Sequence, residues 1–166
     1  MGPRLQDAPA FKGYSPDEDR PLGGYVTVMS VYAALTGTFA AWFAASQRQL
    51  PDRMAPGDMA LLAVATHKSA RMLTKDKVTA PVRAPFTEFE EDAELPGEVS
   101  ESVRGSGLRR SLGELLVCPY CLSLWIATAM AAGFLVAPRL TRQVTSVLTA
   151  VFGADLLQLA YREAAE

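Results

Sequence analysis

Residues 21–47 read PLGGYVTVMSVYAALTGTFAAWFAASQ, 27 residues without Asp, Glu, Lys or Arg. Residues 115–138 read LLVCPYCLSLWIATAMAAGFLVAP, 24 more without a charge. A helix that crosses the hydrocarbon core of a bilayer needs about 20 consecutive, mostly apolar residues, and each stretch supplies them. The averages over the 166 residues conceal this. Hydrophobic residues make up 49% and charged residues 20%, against about 25% charged in soluble proteins. The net charge of −2 gives no basic field to hold nucleic acid, so that class of partner is set aside.

Working outward, residues 1–23 hold Pro3, Pro9, Pro16 and Pro21 with acids at Asp7 and Asp17-Glu18-Asp19. This composition predicts a disordered cytoplasmic leader and no cleavable signal peptide. The first span is set at 24–46. Tyr25 and Trp42 lie at its ends, where amphipathic rings favour the interface, and Gly37 with Ala41 offers a small-residue contact face. Pro56 and Asp58 start a second helix at 57–74, whose His67, Lys68 and Arg71 make it the most polar. It reads either as a span with its inner half facing protein or as an amphipathic helix at the interface; the topology below requires the span. Pro81 and Pro85 predict an extended segment, and residues 88–101, with seven acids and no base, predict a flexible solvated one. Leu108, Leu112, Leu115 and Leu116 recur at helical spacing as a lead-in helix. Further spans are set at 118–137 and 143–161. The expected fold is an all-α polytopic membrane bundle of four transmembrane helices over residues 24–166, with a cytoplasmic loop at 75–117.

Four spans place both termini on one side with the central loop. That side then carries twelve of the sixteen Lys and Arg residues, and the other carries Arg48, Arg53, Arg139 and Arg142. By the positive-inside rule, both termini and the loop are cytoplasmic and the protein is multi-pass in the bacterial inner membrane.

Three segments stand out together: TKDKVTAPVRAPFT at 74–87, RGSGLRRSLGELL at 104–116 and CPYCLSLW at 118–125. The region from about residue 56 to 162 resembles the bacterial domain of unknown function 1360 family, small multi-pass membrane proteins of which some carry a sporulation-protein label. The resemblance implies a membrane protein with a lysine- and proline-rich cytoplasmic loop and a Cys-Pro-x-Cys pair, and implies no known activity. Its recurring residues would be Lys75, Asp76, Lys77, Pro81, Arg83, Pro85, Cys118, Pro119, Cys121 and Trp125.

Three candidate sites follow from the residues. Cys118 and Cys121 have the spacing of half a tetrahedral zinc site and of a dithiol redox pair. No strand pattern of a thioredoxin-like framework surrounds them, and no second pair exists. The reading preferred is that they pack at the start of a helix, with Pro119 in its first turn; no cofactor is predicted, and zinc is the alternative. Asp155 is seven residues before Arg162, and Lys68 seven before Lys75. Each therefore lies about 10 Å inward from the same side. With His67 and Arg71 they form a candidate ion or proton site, or a pair that fixes helix docking. Lys75, Asp76, Lys77, Pro81, Arg83 and Pro85 form a candidate docking loop. The functional expectation is a structural or interaction module in the membrane (subunit, scaffold or sensor) rather than an enzyme, partnered by lipid and by a second copy or another membrane protein. An oligomeric small transporter or channel is the alternative, and a thiol redox or zinc-binding protein the next.

Overall fold

A computed structural model describes residues 8–11, 13–15 and 20–165. The chain is mostly helical: α1 (Leu22–Ala45), α2 (Pro56–Lys75), the short α3 (Ala80–Arg83), α4 (Gly107–Val117), α5 (Pro119–Val136) and α6 (Pro138–Ala165), with a hairpin of β1 (Thr87–Asp92) and β2 (Val99–Val103). Pro56, Pro119 and Pro138 each open a helix, where proline's missing N–H costs nothing and its fixed φ suits the helix. Of the leader set at 1–23, the described residues are a 3-10 turn at Pro9–Phe11 with its flanks and residues 20–23, of which Leu22 and Gly23 already belong to α1; the rest of that expectation lies outside the described residues.

α1, α5 and α6 are long and apolar enough to cross a membrane. Their side chains are mostly exposed, among them Met29 and Leu35 of α1, Leu124 of α5 and Val147 and Leu157 of α6. Exposed apolar surface of this extent marks an interaction face, and the length and apolar character of the three helices suggest membrane association. α2 fails the apolar criterion, so four transmembrane helices are not established on hydropathy. It nevertheless packs against both α5 and α6 through small and polar residues: Ala65, Thr66, Ser69, Ala70 and Thr74.

Pairwise contacts fix the directions. The Tyr25 hydroxyl bonds Glu114, Tyr32 bonds Thr128 at 2.8 Å, and Arg48 reaches the carbonyl of Val136 at 3.4 Å; α1 therefore runs parallel to α4 and α5. Asp58 pairs with Arg142 at 2.6 Å, His67 meets the ring of Phe152, and Lys68 pairs with Asp155; α2 runs parallel to α6, and both run against α5. Gly24 lets α1 approach Ser111 of α4, since a Cβ there would collide with the Ser111 side chain. Gly37, expected to seat a neighbouring helix, faces open space instead.

The central segment departs from expectation. Ala80 and Ala84 adopt right-handed helical backbone, because Pro81 falls in the first turn of α3, where proline is accommodated. The acidic stretch pairs as an antiparallel hairpin, Thr87 opposite Val103 and Asp92 opposite Val99, with a bulge between Phe89 and Glu91. Its turn is closed by the Ala93 N–H to the Glu98 carbonyl at 3.2 Å. The small sheet makes the fold mixed at this end rather than all-α.

Candidate functional site

The site is built where the C-terminal end of α2 meets the hairpin. A helix ends with carbonyls that lack partners, and here a buried arginine takes them. Arg83, 0% exposed, donates to the carbonyls of Leu73 at 2.9 Å and Asp76 at 3.1 Å and to the Thr79 hydroxyl at 2.7 Å. Its Nε pairs with Glu101 Oε2 at 2.5 Å, the Glu101 side chain being 6% exposed. Thr79 in turn donates to the Met72 carbonyl at 2.5 Å. Around the same turn, Arg104 donates to the Ala84 carbonyl at 2.6 Å and Arg109 to that of Pro85 at 2.6 and 2.9 Å. β2 is docked beside α2 by Arg71, which grips both oxygens of Glu98 at 2.6–3.1 Å, and by the Lys77 N–H to the Gly97 carbonyl at 2.9 Å.

The candidate docking loop is therefore divided. Arg83 is interior scaffolding, Lys77 pairs with Asp92 at 2.9 Å, and Asp76 bridges to Glu98 through its backbone. Pro81 and Pro85 are exposed. Between them Val78 and Val82 stand out at 84% and 57% exposed.

The ionic group predicted from sequence is likewise divided. Lys68 Nζ lies 2.7 Å from Asp155 Oδ2. Arg71 goes to Glu98, not to Asp155, and His67 sets its ring edge-on to Phe152, centroids 5.3 Å apart. These residues line a cleft of about 680 Å³ between α2, α6 and the hairpin turn. Asp76 borders it, and burial holds its carboxyl above the ordinary aspartate range; Lys68 and Arg83 pull it down while Glu98 and Asp155 push it further up.

Cys118 and Cys121 are joined to one another as a disulfide across the first turn of α5. In that state neither sulfur is a metal-ligating thiolate, so the CxxC spacing does not stand as an open pair, and Cys121 is exposed rather than packed in a core. Among the described residues, no three His, Cys, Asp or Glu side chains are grouped to hold a metal ion.

Sequence reasoning missed Glu98, Glu101, Arg104 and Arg109. The hairpin signal was present: the β-formers Thr87 and Phe89 alternate with Glu88 and Glu90, Pro96-Gly97 marks a turn, and Val99, Glu101 and Val103 alternate with Ser100 and Ser102. The seven acids masked it.

Residues 61–161 match the model of a family described as "Protein of unknown function (DUF1360)". The chain is 36% identical over 78 residues to sporulation protein YjcA of Bacillus subtilis, covering 46% of this chain and 62% of that protein. It is 28% identical over 107 residues to UPF0713 protein YngL of the same organism, covering 64% of this chain and 78% of the relative. The aligned region thus spans less than two thirds of the sporulation protein. No solved structure matches the chain. The match over most of its length establishes that the chain belongs to the DUF1360 family.

Proposed function

We propose that this DUF1360 member is an integral interaction module of the bacterial cytoplasmic membrane, in which four crossing helices hold a folded cap, residues 76–117, at the inner surface. The observation that carries the reading is the buried Arg83–Glu101 pair. It turns what would be a solvated loop into a platform rigidly joined to the end of α2. The exposed ledge of Val78, Pro81 and Val82 on that platform is the surface offered to a partner protein.

The fourth crossing rests on connectivity. α1 and α5 run in the same direction, so the chain must return across the bundle between them, and α2 is the helix that covers the height from the Asp58–Arg142 pair to the cap. Its buried small and polar residues lie on the helix that packs against α5 and α6, and Asp58, Lys68 and Arg71 are each ion-paired, which is how a polar helix is tolerated in hydrocarbon. The excess of basic residues on the cap side supports cytoplasmic termini. A conduit gains less support, because the charged cleft lies at one end of the bundle.

Two measurements test the module. Single cysteines at Ser100 and Asp52, on a background lacking Cys118 and Cys121, are labelled with an impermeant reagent in intact cells: Asp52 is expected to react and Ser100 to be protected. Photo-crosslinkers at Val78 and Val82 are expected to give the same protein adduct, absent from a probe at Asp52. Outside labelling of Ser100 refutes the topology, and absence of a shared adduct refutes the platform.

A further inference from the structure

The hairpin has one covered edge and one open edge. Asp76 bridges to Glu98, and the Lys77 N–H reaches the Gly97 carbonyl at 2.9 Å, so the chain leaving α2 runs along the β2 side. β2 also packs on α4, whereas β1 packs chiefly on β2 and is exposed from Glu88 to Asp92. The ladder fixes which peptide groups of β1 are free. The Arg104 N–H bonds the Phe86 carbonyl at 3.1 Å at one end, and the Ala93 N–H bonds the Glu98 carbonyl at 3.2 Å at the other. Bonded and non-bonded pairs alternate along an antiparallel ladder. Phe89, opposite Glu101, and Asp92, opposite Val99, both fall on non-bonded positions. Their N–H and C=O groups therefore point away from β2, toward the open edge.

That edge carries charge of one sign. Four of the six residues of β1 are acids. Asp92 is spent on Lys77; Glu88, Glu90 and Glu91 make no ion pair with any described residue. Charged side chains and bulges commonly guard an edge strand against unwanted pairing. Guards of a single sign are selective. Two β1 edges brought together set acids against acids, and an anionic lipid surface is repelled as well, whereas a cationic chain is attracted. Glu88 and Glu91 stand opposite Ser102 and Ser100, and Phe89 opposite Glu101. Cross-strand neighbours share a face and successive residues alternate, so these two acids and the exposed ring of Phe89 fall on different faces of the ribbon.

We propose that β1 is a docking edge for an extended, basic segment of a partner protein, which adds to the hairpin as a further strand by β-augmentation. The main chain of the segment bonds the outward peptide groups of Phe89 and Asp92. Its Lys or Arg side chains meet Glu88, Glu90 and Glu91, and apolar residues alternating with them cover the Phe89 ring. The edge is distinct from the ledge of Val78 and Val82, and either can fail without the other.

The test uses the full-length protein in neutral detergent and two synthetic peptides of equal charge, acetyl-Lys-Val-Lys-Val-Lys-Val-Lys-amide and the same peptide with proline at its central position. Binding is read by fluorescence anisotropy and by hydrogen exchange. The first peptide is expected to bind and to slow exchange of the Phe89 and Asp92 amides. The proline peptide, which lacks a central N–H and resists pairing, is expected to bind about tenfold more weakly, as is the first peptide to the combined variant Glu88→Lys, Glu90→Lys and Glu91→Lys. Phe89→Pro removes an N–H that the hairpin does not use, and proline is accepted at such a place on an edge strand. That variant is expected to keep the protection of β2 and to lose the peptide. Equal binding of the two peptides, binding that leaves both amides unprotected, or full affinity in the triple variant overturns the proposal. Protection of the two amides without peptide, lost on dilution, assigns the edge to a second copy and overturns it too. The three glutamates are exposed, so the triple variant stays readable even where Phe89→Pro alters the fold.

Discussion

Arg83→Met is the sharpest single perturbation of this fold. The guanidinium is fully buried, pairs with Glu101 and serves the carbonyls of Leu73 and Asp76 and the hydroxyl of Thr79. Methionine retains much of the apolar stem and removes every one of these bonds. Breaking a buried pair by removing one partner typically costs about 3–5 kcal/mol, because the remaining charge is stranded. Each carbonyl left without a donor adds about 1 kcal/mol or more. The expected destabilisation is therefore at least about 4 kcal/mol, concentrated in the cap rather than in α1, α5 or α6. Hydrogen exchange is the assay that separates these regions: amides of β1, β2 and α3 are expected to lose protection while those of the apolar helices keep it. Adding Glu101→Leu removes the stranded carboxylate and is expected to recover about 1–3 kcal/mol. If the double variant is as unstable as the sum of the two single ones, the pair is not coupled and the cap is held by something else. Uniform loss of protection throughout the chain would equally refute a local role.

Other outcomes are as specific. In a double-mutant cycle on thermal stability, Lys68 and Asp155 are expected to couple by about 1 kcal/mol or more; Asp155 is 40% exposed, which keeps the value below that of a fully buried pair, and a coupling near zero would remove the pair from the account of α2. Burial raises the Asp76 carboxyl, so the folded state holds its proton more tightly than the unfolded one. That contribution is fully present below the ordinary aspartate range and is lost as pH rises through the raised value. Midpoints measured against pH should therefore fall over that window in the wild type and flatten in Asp76→Asn, and parallel profiles would contradict the assignment. Gly113→Ala places a methyl 2.5 Å from Val103 Cγ1 and 2.8 Å from the Phe86 carbonyl. Overpacking of this kind costs about 1–3 kcal/mol, and an unchanged midpoint would mean that α4 is free to move off the hairpin.

The parts of this fold that were readable in the sequence are those in which one physical effect dominates. Charge-free runs mark α1 and α5, and Pro56 and Pro119 mark the starts of α2 and α5 to within a residue or two; the last helix, set at 143–161, in fact begins at Pro138, because a proline that closes one helix can equally open the next. Matched depth on two helices paired Lys68 with Asp155 before any contact was known. The parts that were not readable depend on partners distant in the chain. Arg71 stands one turn from Lys68, so sequence spacing left either as the partner of Asp155; Glu98, which takes Arg71, lies just before β2, in a turn whose placement no local pattern gives. The acidic segment was read as solvated because its charges outweigh its alternation, yet Glu98 and Glu101 are ionic partners and only the remaining acids are solvated. Pro81 was read as a breaker because its place in a helix's first turn depends on where the helix starts. The two cysteines kept three readings open, since spacing alone does not distinguish a bonded pair from ligands or packing.

The Lys68–Asp155 contact has a bearing on how the protein is made. The two residues are about 90 positions apart, and a ribosome extends the chain at about 5–20 residues per second, so Lys68 waits roughly 5–20 s for its counter-charge to exist. A lone lysine near the middle of a helix opposes insertion by about 2.5–3.5 kcal/mol. During that interval the polar helix has no favourable place in the lipid, and its neighbours in the finished bundle have not been synthesised. In the proposed four-crossing topology, α2 gains its α5 and α6 partners and the counter-charge of Lys68 only after translation has passed Asp155, whereas α5 and α6, joined through Ala137 alone, are made one directly after the other.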